Sequence, residues 1–190
     1  QQVFGIVQGG VFQDLRERAV AEIAALGFDG IAIGGVSVGE TEAEMVRVLD
    51  WVAHGLPPER PHYLMGVGTP RQLVLSVARG IDMFDCVLPT RVGRNGSAYT
   101  ATGTIPVKAG RYKDDFTPIE DGCECYACQH FTKAYIRHLL NVGEILGSRL
   151  MTIHNLHFFL GLMRRIRASL EQGTFAEFAE DFLGRYPGSA

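Results

Sequence analysis

A chain of 190 residues that is 46% hydrophobic, with 23 glycines, is long and apolar enough for a globular domain and is not a disordered one. Its formal net charge of −3 excludes a bulk electrostatic grip on nucleic acid and leaves any such grip to local basic clusters. No apolar run approaches the ~20 residues that span a bilayer, no signal peptide is visible, and clustered cysteines fit a reducing, cytoplasmic setting.

The chain opens at Gln1-Gln2-Val3-Phe4, directly in an apolar run and without an initiator Met, so a piece of something longer is expected. Residues 4–10 (FGIVQGG) read as a buried strand and its exit turn. Phe12, Leu15, Ala19, Ile23 and Leu26 then recur at helical spacing until Gly27 stops the helix. Residues 30–35 are the second strand. Thr41 and Glu44 form a capping box for a helix that packs Met45, Val48, Leu49 and Val52. The third strand is 63–66, and Thr69-Pro70 starts its helix as N-cap and first helical residue. Residues 83–88 are the fourth strand. Apolar strands alternating with helices predict an α/β fold with a parallel sheet. The spacing suits half of a (β/α)8 barrel or a small doubly wound sheet. Polar residues clustered at the strand exits favour the barrel, where that face carries the chemistry.

Beyond residue 88 the pattern changes. Asn95-Gly96 is a type I′ hairpin signal, flanked by Tyr99 and by Ile105 and Val107. Cys123, Cys125 and Cys128 follow as C-x-C-x2-C, then a helix near 131–143 and another near 154–171, opened by His154. Thr174 and Glu177 cap a last helix before Pro187. We expect the division 1–91 for the strand–helix units, 92–153 for a metal-stapled insertion, and 154–190 for C-terminal helices that complete the fold. Cysteines this closely spaced cannot all pair without strain, whereas thiolates plus one imidazole satisfy tetrahedral zinc. His130, His138, His154 and His157 are all within reach as the fourth ligand. Four protein ligands leave no open position, so such a site holds structure.

Asp85, at the end of the fourth strand, can serve as nucleophile, base or metal ligand, or simply cap the next turn. Gly34-Gly35 and Gly66-Val67-Gly68 strip side chains from two strand exits, so a flat ligand can approach the backbone. Gln8 adds an amide able to read a carbonyl and an N–H together. Arg91 and Arg94, with Lys108, Arg111 and Lys113 beyond, form either a phosphate-binding set or a solvated rim. Arg164, Arg165 and Arg167 read as an exposed helix face. Phe131, Tyr135 and His138 share a helical stripe suited to a core or a subunit interface.

The ordered strings VQGG (7–10), GGVSVGE (34–40), YLMGVG (63–68) and FDCVLPTR (84–91), with the C-x-C-x2-C and His154-Asn155, closely resemble the C-terminal half of the bacterial tRNA-guanine transglycosylase (queuine tRNA-ribosyltransferase) family. The resemblance covers essentially all 190 residues. It implies half of a (β/α)8 TIM barrel with a zinc-binding insertion, whose missing N-terminal half carries the general acid/base and main base-recognising aspartates. The implied activity exchanges guanine at the anticodon wobble position of tRNA for 7-aminomethyl-7-deazaguanine (preQ1). In that scheme Asp85 attacks the ribose, Gln8, Gly35 and Val36 bind the base, and Met65 and Gly66 line its pocket. Glu40 helps accept the aminomethyl group, and Arg91 and Arg94 contact the anticodon loop. Cys123, Cys125, Cys128 and His154 match the family's zinc ligands, while Phe131, Tyr135 and His138 match its homodimer helix. Val38 stands where the queuine-using eukaryotic enzymes tend to carry glycine, which favours the smaller base. The isolated chain is expected to be inactive. A noncatalytic tRNA-binding partner subunit and a zinc-dependent barrel hydrolase are the competing functions.

Overall fold

Four short parallel strands, β1 (Phe4–Val7), β2 (Gly30–Ile33), β3 (His62–Leu64) and β4 (Met83–Phe84), lie side by side in sequence order. The computed structural model describes residues 1–186, which divide into two compact units meeting in sequence at Cys86 and Val87. Pro187, expected to stop the last helix, lies outside the described residues.

In the first unit, α1 (Gln13–Ala25), α2 (Glu42–Ala53) and α3 (Pro70–Val77) connect the strands. The core is one contiguous set, including Val7, Ile31, Ile33, Leu64, Met45, Val48, Leu49 and Val52. Both expected helix starts are present. Thr41 and Glu44 exchange side-chain and backbone hydrogen bonds, and Thr69 does the same with Gln72, with Pro70 in the first turn.

Three expectations need correction in this unit. Strand β1 is not buried throughout, because alternate residues face opposite ways and Ile6 is exposed. The stripe assigned to α1 is rotated: Phe12, Leu15 and Leu26 are exposed, while Arg16 and Val20 are buried. The fourth strand ends at Phe84, and Leu88 already belongs to a helix.

The second unit begins with that helix, α4 (Leu88–Arg94), followed by the antiparallel hairpin β5 (Ser97–Thr100) and β6 (Gly103–Pro106). Asn95-Gly96 does not turn the hairpin. Asn95 keeps φ −81 as the helix C-cap and Gly96 takes φ +86 just beyond it, whereas a type I′ turn needs positive φ at both residues. The hairpin turns instead at Ala101-Thr102. After a single 3-10 turn at Gly110–Tyr112 come α5 (Tyr126–His130), α6 (Lys133–Val142), α7 (Ile145–Glu171) and α8 (Phe175–Arg185).

Helix α7 runs unbroken from Ile145, so His154 lies inside it rather than opening it. Thr174 makes no side-chain cap bond to α8, and its hydroxyl donates to the Ser169 carbonyl instead. Leu150, Met151, Ala98, Val107, Ile136 and Leu139 form the core of this unit. Asn155, wholly buried on α7, serves as a polar hub within it. Its Oδ1 accepts from the Tyr99 N–H at 2.9 Å, and its Nδ2 donates to the carbonyls of Pro89 at 2.9 Å and Ser97 at 3.1 Å. Among the described residues no helix is long and apolar enough to cross a membrane.

Candidate functional site

Gln8, Gly34, Met65 and Asp85 are the first residues past β1, β2, β3 and β4. The parallel register Val7–Ile33–Leu64–Phe84 brings all four to one edge of the sheet. Backbone pairing, not side-chain chemistry, therefore assembles the cluster.

The Asp85 carboxylate is exposed, and both of its bonds from neighbouring groups fall on Oδ1. The Tyr63 hydroxyl donates at 2.6 Å and the Gly66 N–H at 2.8 Å. These two donors, the tyrosine foremost, hold the carboxyl below its usual range against a smaller opposing effect of partial burial. The same bond pushes the Tyr63 phenol up. Asp85 is thus kept ionised and aimed, as a nucleophile or base must be. Tyr63 was not singled out from sequence, where it read only as a strand residue.

At the β1 and β2 exits, the Gln8 amide lies directly over the glycine pair. A Cβ on Gly34 would stand 2.5 Å from Gln8 Nε2, and one on Gly35 2.6 Å from Gln8 Oε1. Gly35 also takes φ +65, so glycine is required there on both counts. Val36 is buried, Met65 is half-buried, and Glu40 folds its loop back by accepting the Val38 N–H at 2.8 Å.

Beneath this turn lies Arg16, at 0% exposure. Its Nε donates to Gly10 O at 2.7 Å, Nη1 to Gly34 O at 2.8 Å and Val7 O at 3.2 Å, and Nη2 to Gly35 O at 2.9 Å. Burial lowers its pKa, and the field of Glu40 raises it in part. The sequence reading missed Arg16 because a charged residue on an amphipathic helix is assigned to solvent. Its spacing of four from Val20 was the available signal.

Arg91 and Arg94 belong to the second unit, on α4, and both are exposed. In the same unit Phe131 stacks on Tyr135 with ring centroids 5.7 Å apart and planes 12° from parallel. Tyr135 and His138 are exposed, as are Tyr126, Val142 and Ile145.

The remaining cluster has the donor set of a metal site. The donor atoms of Cys123, Cys125, Cys128 and His154 all lie within 4.8 Å of one another, and none of the three cysteines is in a disulfide. His154 Nδ1 stands 3.8, 3.6 and 3.4 Å from the sulfurs of Cys123, Cys125 and Cys128. Tetrahedral zinc with ordinary bond lengths places sulfur about 3.6 Å from nitrogen, so the cluster fits the ion. His154 Nε2 meets the Tyr99 carbonyl at 2.8 Å, an outer bond that keeps Nδ1 turned toward the three sulfurs.

The thiols compete for charge. The Cys128 contact draws Cys125 down to about 3, the same contact pushes Cys128 up, and burial raises Cys123. A divalent cation is what allows all three to ionise together. Of the four histidines within sequence reach, the structure brings His154 to the thiols.

A family model described as Queuine tRNA-ribosyltransferase matches residues 1–188. The chain is 56% identical over 188 residues to the "Queuine tRNA-ribosyltransferase" of Pelotomaculum thermopropionicum (strain DSM 13744 / JCM 10971 / SI), covering 99% of this chain and 51% of that one. It is 52% identical over 184 residues to the protein of the same name from Francisella tularensis subsp. novicida (strain U112), covering 97% of this chain and 50% of the relative. The chain spans about half the length of the curated relatives it matches.

Proposed function

Since this chain belongs to the queuine tRNA-ribosyltransferase family, we propose that it supplies the nucleophile and the zinc site of a tRNA-guanine transglycosylase acting on the wobble position of tRNA. The observation that carries the reading is Asp85, held ionised by Tyr63 and Gly66 beside a glycine-floored edge. Its carboxylate attacks C1′ of the ribose, the C1′–N9 bond breaks, and guanine leaves with the bonding electron pair and takes up a proton. The ring nitrogen of 7-aminomethyl-7-deazaguanine then attacks C1′ and loses its proton, and the aspartate departs. Two displacements retain configuration, and an acidic carboxyl is a good leaving group in the second.

Gln8, Gly35 and the Val36 backbone meet the base, with Met65 and Gly66 beside it and Glu40 toward the aminomethyl group. Arg91 and Arg94 take phosphates of the anticodon loop. Cys123, Cys125, Cys128 and His154 hold one zinc ion, which supplies a cross-link between the cysteine loop and α7 and no step of the exchange. The sequential parallel strand order supports half of a (β/α)8 barrel, as do the apolar residues Ile6 and Met83 on a sheet face that α1–α3 leave uncovered. The exposed Phe131–Tyr135–His138 face suits a homodimer contact, and tRNA places the work in the cytoplasm. A zinc hydrolase would need an open metal position, which four protein donors do not leave.

The test is exchange of labelled guanine into tRNA by the natural full-length polypeptide carrying this sequence. Asp85→Ala should abolish the covalent tRNA adduct and slow exchange by at least about 10³-fold while tRNA binding persists. An adduct that survives the substitution would remove Asp85 from the reaction.

A further inference from the structure

A fully buried guanidinium that makes four hydrogen bonds to main-chain oxygen and contacts no carboxylate among the described residues is an unusual use of charge. Burying an arginine without a contacting counter-ion is costly, so the carbonyls it holds must be worth holding. The four that Arg16 holds belong to Val7, Gly10, Gly34 and Gly35, the residues that frame the β1 and β2 exits. Arginine alone has a planar fork of donors that can reach so many acceptors at once.

The geometry has a second consequence. Every peptide among the described residues is trans, so the N–H of each unit points opposite to its carbonyl. Arg16 draws the Gly34 and Gly35 carbonyls down toward α1. The N–H groups of Gly35 and Val36 are therefore directed away from the guanidinium. The Gln8 amide lies over the same glycine pair. A strongly polarised donor edge results, with a buried positive charge behind it and the Gln8 amide alongside.

Resting on the transglycosylase reading above, we infer that Arg16 is the positioning residue of the base pocket. By fixing the Gly34–Val36 peptides it presents two N–H donors to a carbonyl-bearing heterocycle edge, the purine oxygen of guanine or of its 7-deaza analogue. It acts through the backbone and does not touch the base. Adenine, with an amino group in place of that oxygen, would set donor against donor and be refused.

The experiment compares Arg16→Lys and Arg16→Gln with the unsubstituted full-length protein, measuring KM for guanine and for tRNA separately, with zinc content and thermal unfolding as controls. Lysine keeps the charge but not the fork. In folded variants the guanine KM should rise about tenfold for Arg16→Lys and further for Arg16→Gln, with the tRNA KM unchanged. A guanine KM unmoved in a folded variant, or guanine and tRNA constants rising together, overturns the inference. If neither variant folds, 15N-labelled unsubstituted protein decides. The Gly35 and Val36 amide signals and the Arg16 Nη–H signals should all shift on adding guanine and stay put on adding adenine; Arg16 Nη–H unmoved while the amides shift overturns it. Absence of guanine exchange by the unsubstituted protein would count instead against the transglycosylase reading itself.

Discussion

Tyr63 donates its hydroxyl to Asp85 Oδ1 across 2.6 Å, joining a residue inside β3 to the first residue past β4. The bond links strand pairing directly to the charge state of the candidate nucleophile, and it fixes the sign of a pH effect. Tyr63→Phe removes the largest influence holding that carboxyl low, so its pKa rises. Because the folded value lies below the unfolded one, the ionised form is complete above the ordinary carboxylate range and is lost as pH falls through the folded value. If the proposed exchange holds, the full-length polypeptide carrying Tyr63→Phe should therefore lose it in mildly acid buffer where the unsubstituted full-length polypeptide keeps it, with little change near neutrality. A pH–rate profile whose acid limb does not move would show that Tyr63 has no part in tuning Asp85.

Removing the metal should act on the second unit alone. With a chelator, or in Cys125→Ser, amide exchange around the cysteine loop and the N–H groups of β5 should accelerate, since metal-binding energy is folding energy there. Residues 1–86 should keep their protection. Elemental analysis should find about one zinc per chain in the unsubstituted protein and a substoichiometric amount in the variant. Full zinc occupancy in Cys125→Ser would exclude that thiol as a ligand.

Asn155→Leu tests the buried hub. The substitution strands the Tyr99 N–H and the carbonyls of Pro89 and Ser97, all previously served by one amide. The expected cost is about 3 kcal/mol, read as a lower denaturant midpoint at unchanged slope. A change near zero would mean that water replaces the amide without penalty.

The stacked pair Phe131 and Tyr135 leaves a largely exposed aromatic face. If a second copy covers it, replacing both with alanine should weaken self-association by about 2 kcal/mol or more, moving the species seen by sedimentation toward the single-chain mass. Sedimentation identical to that of the unsubstituted protein would assign the face elsewhere.

Local chemistry was the legible part of the sequence. The capping box at Thr41 and the N-cap at Thr69 declare themselves because each rests on a side chain meeting its own backbone three residues away. The three thiols did so because spacing alone brings them together. Long-range burial was not legible. Arg16 is inside only because glycine-rich exits from two other strands offer it carbonyls. Asn95-Gly96 carries the same dipeptide signal whether it turns a hairpin or ends a helix, and the preceding helix decides. Helix α7 starts before the expected position because its true start, with Glu144 as N-cap, carries no side-chain cap bond, and Gly147 disguises its first turn.

His154 and Asn155, neighbours on α7, together occupy both main-chain groups of Tyr99: the amide takes its N–H and the imidazole takes its carbonyl. Two side chains from a helix thereby mimic an adjoining strand along the outer rim of β5, a rim that would otherwise invite pairing by any passing extended peptide. The residue placed to hold the ion also shields the hairpin from such recruitment, so an unmetallated chain, with His154 no longer anchored, would offer that rim to other extended peptides.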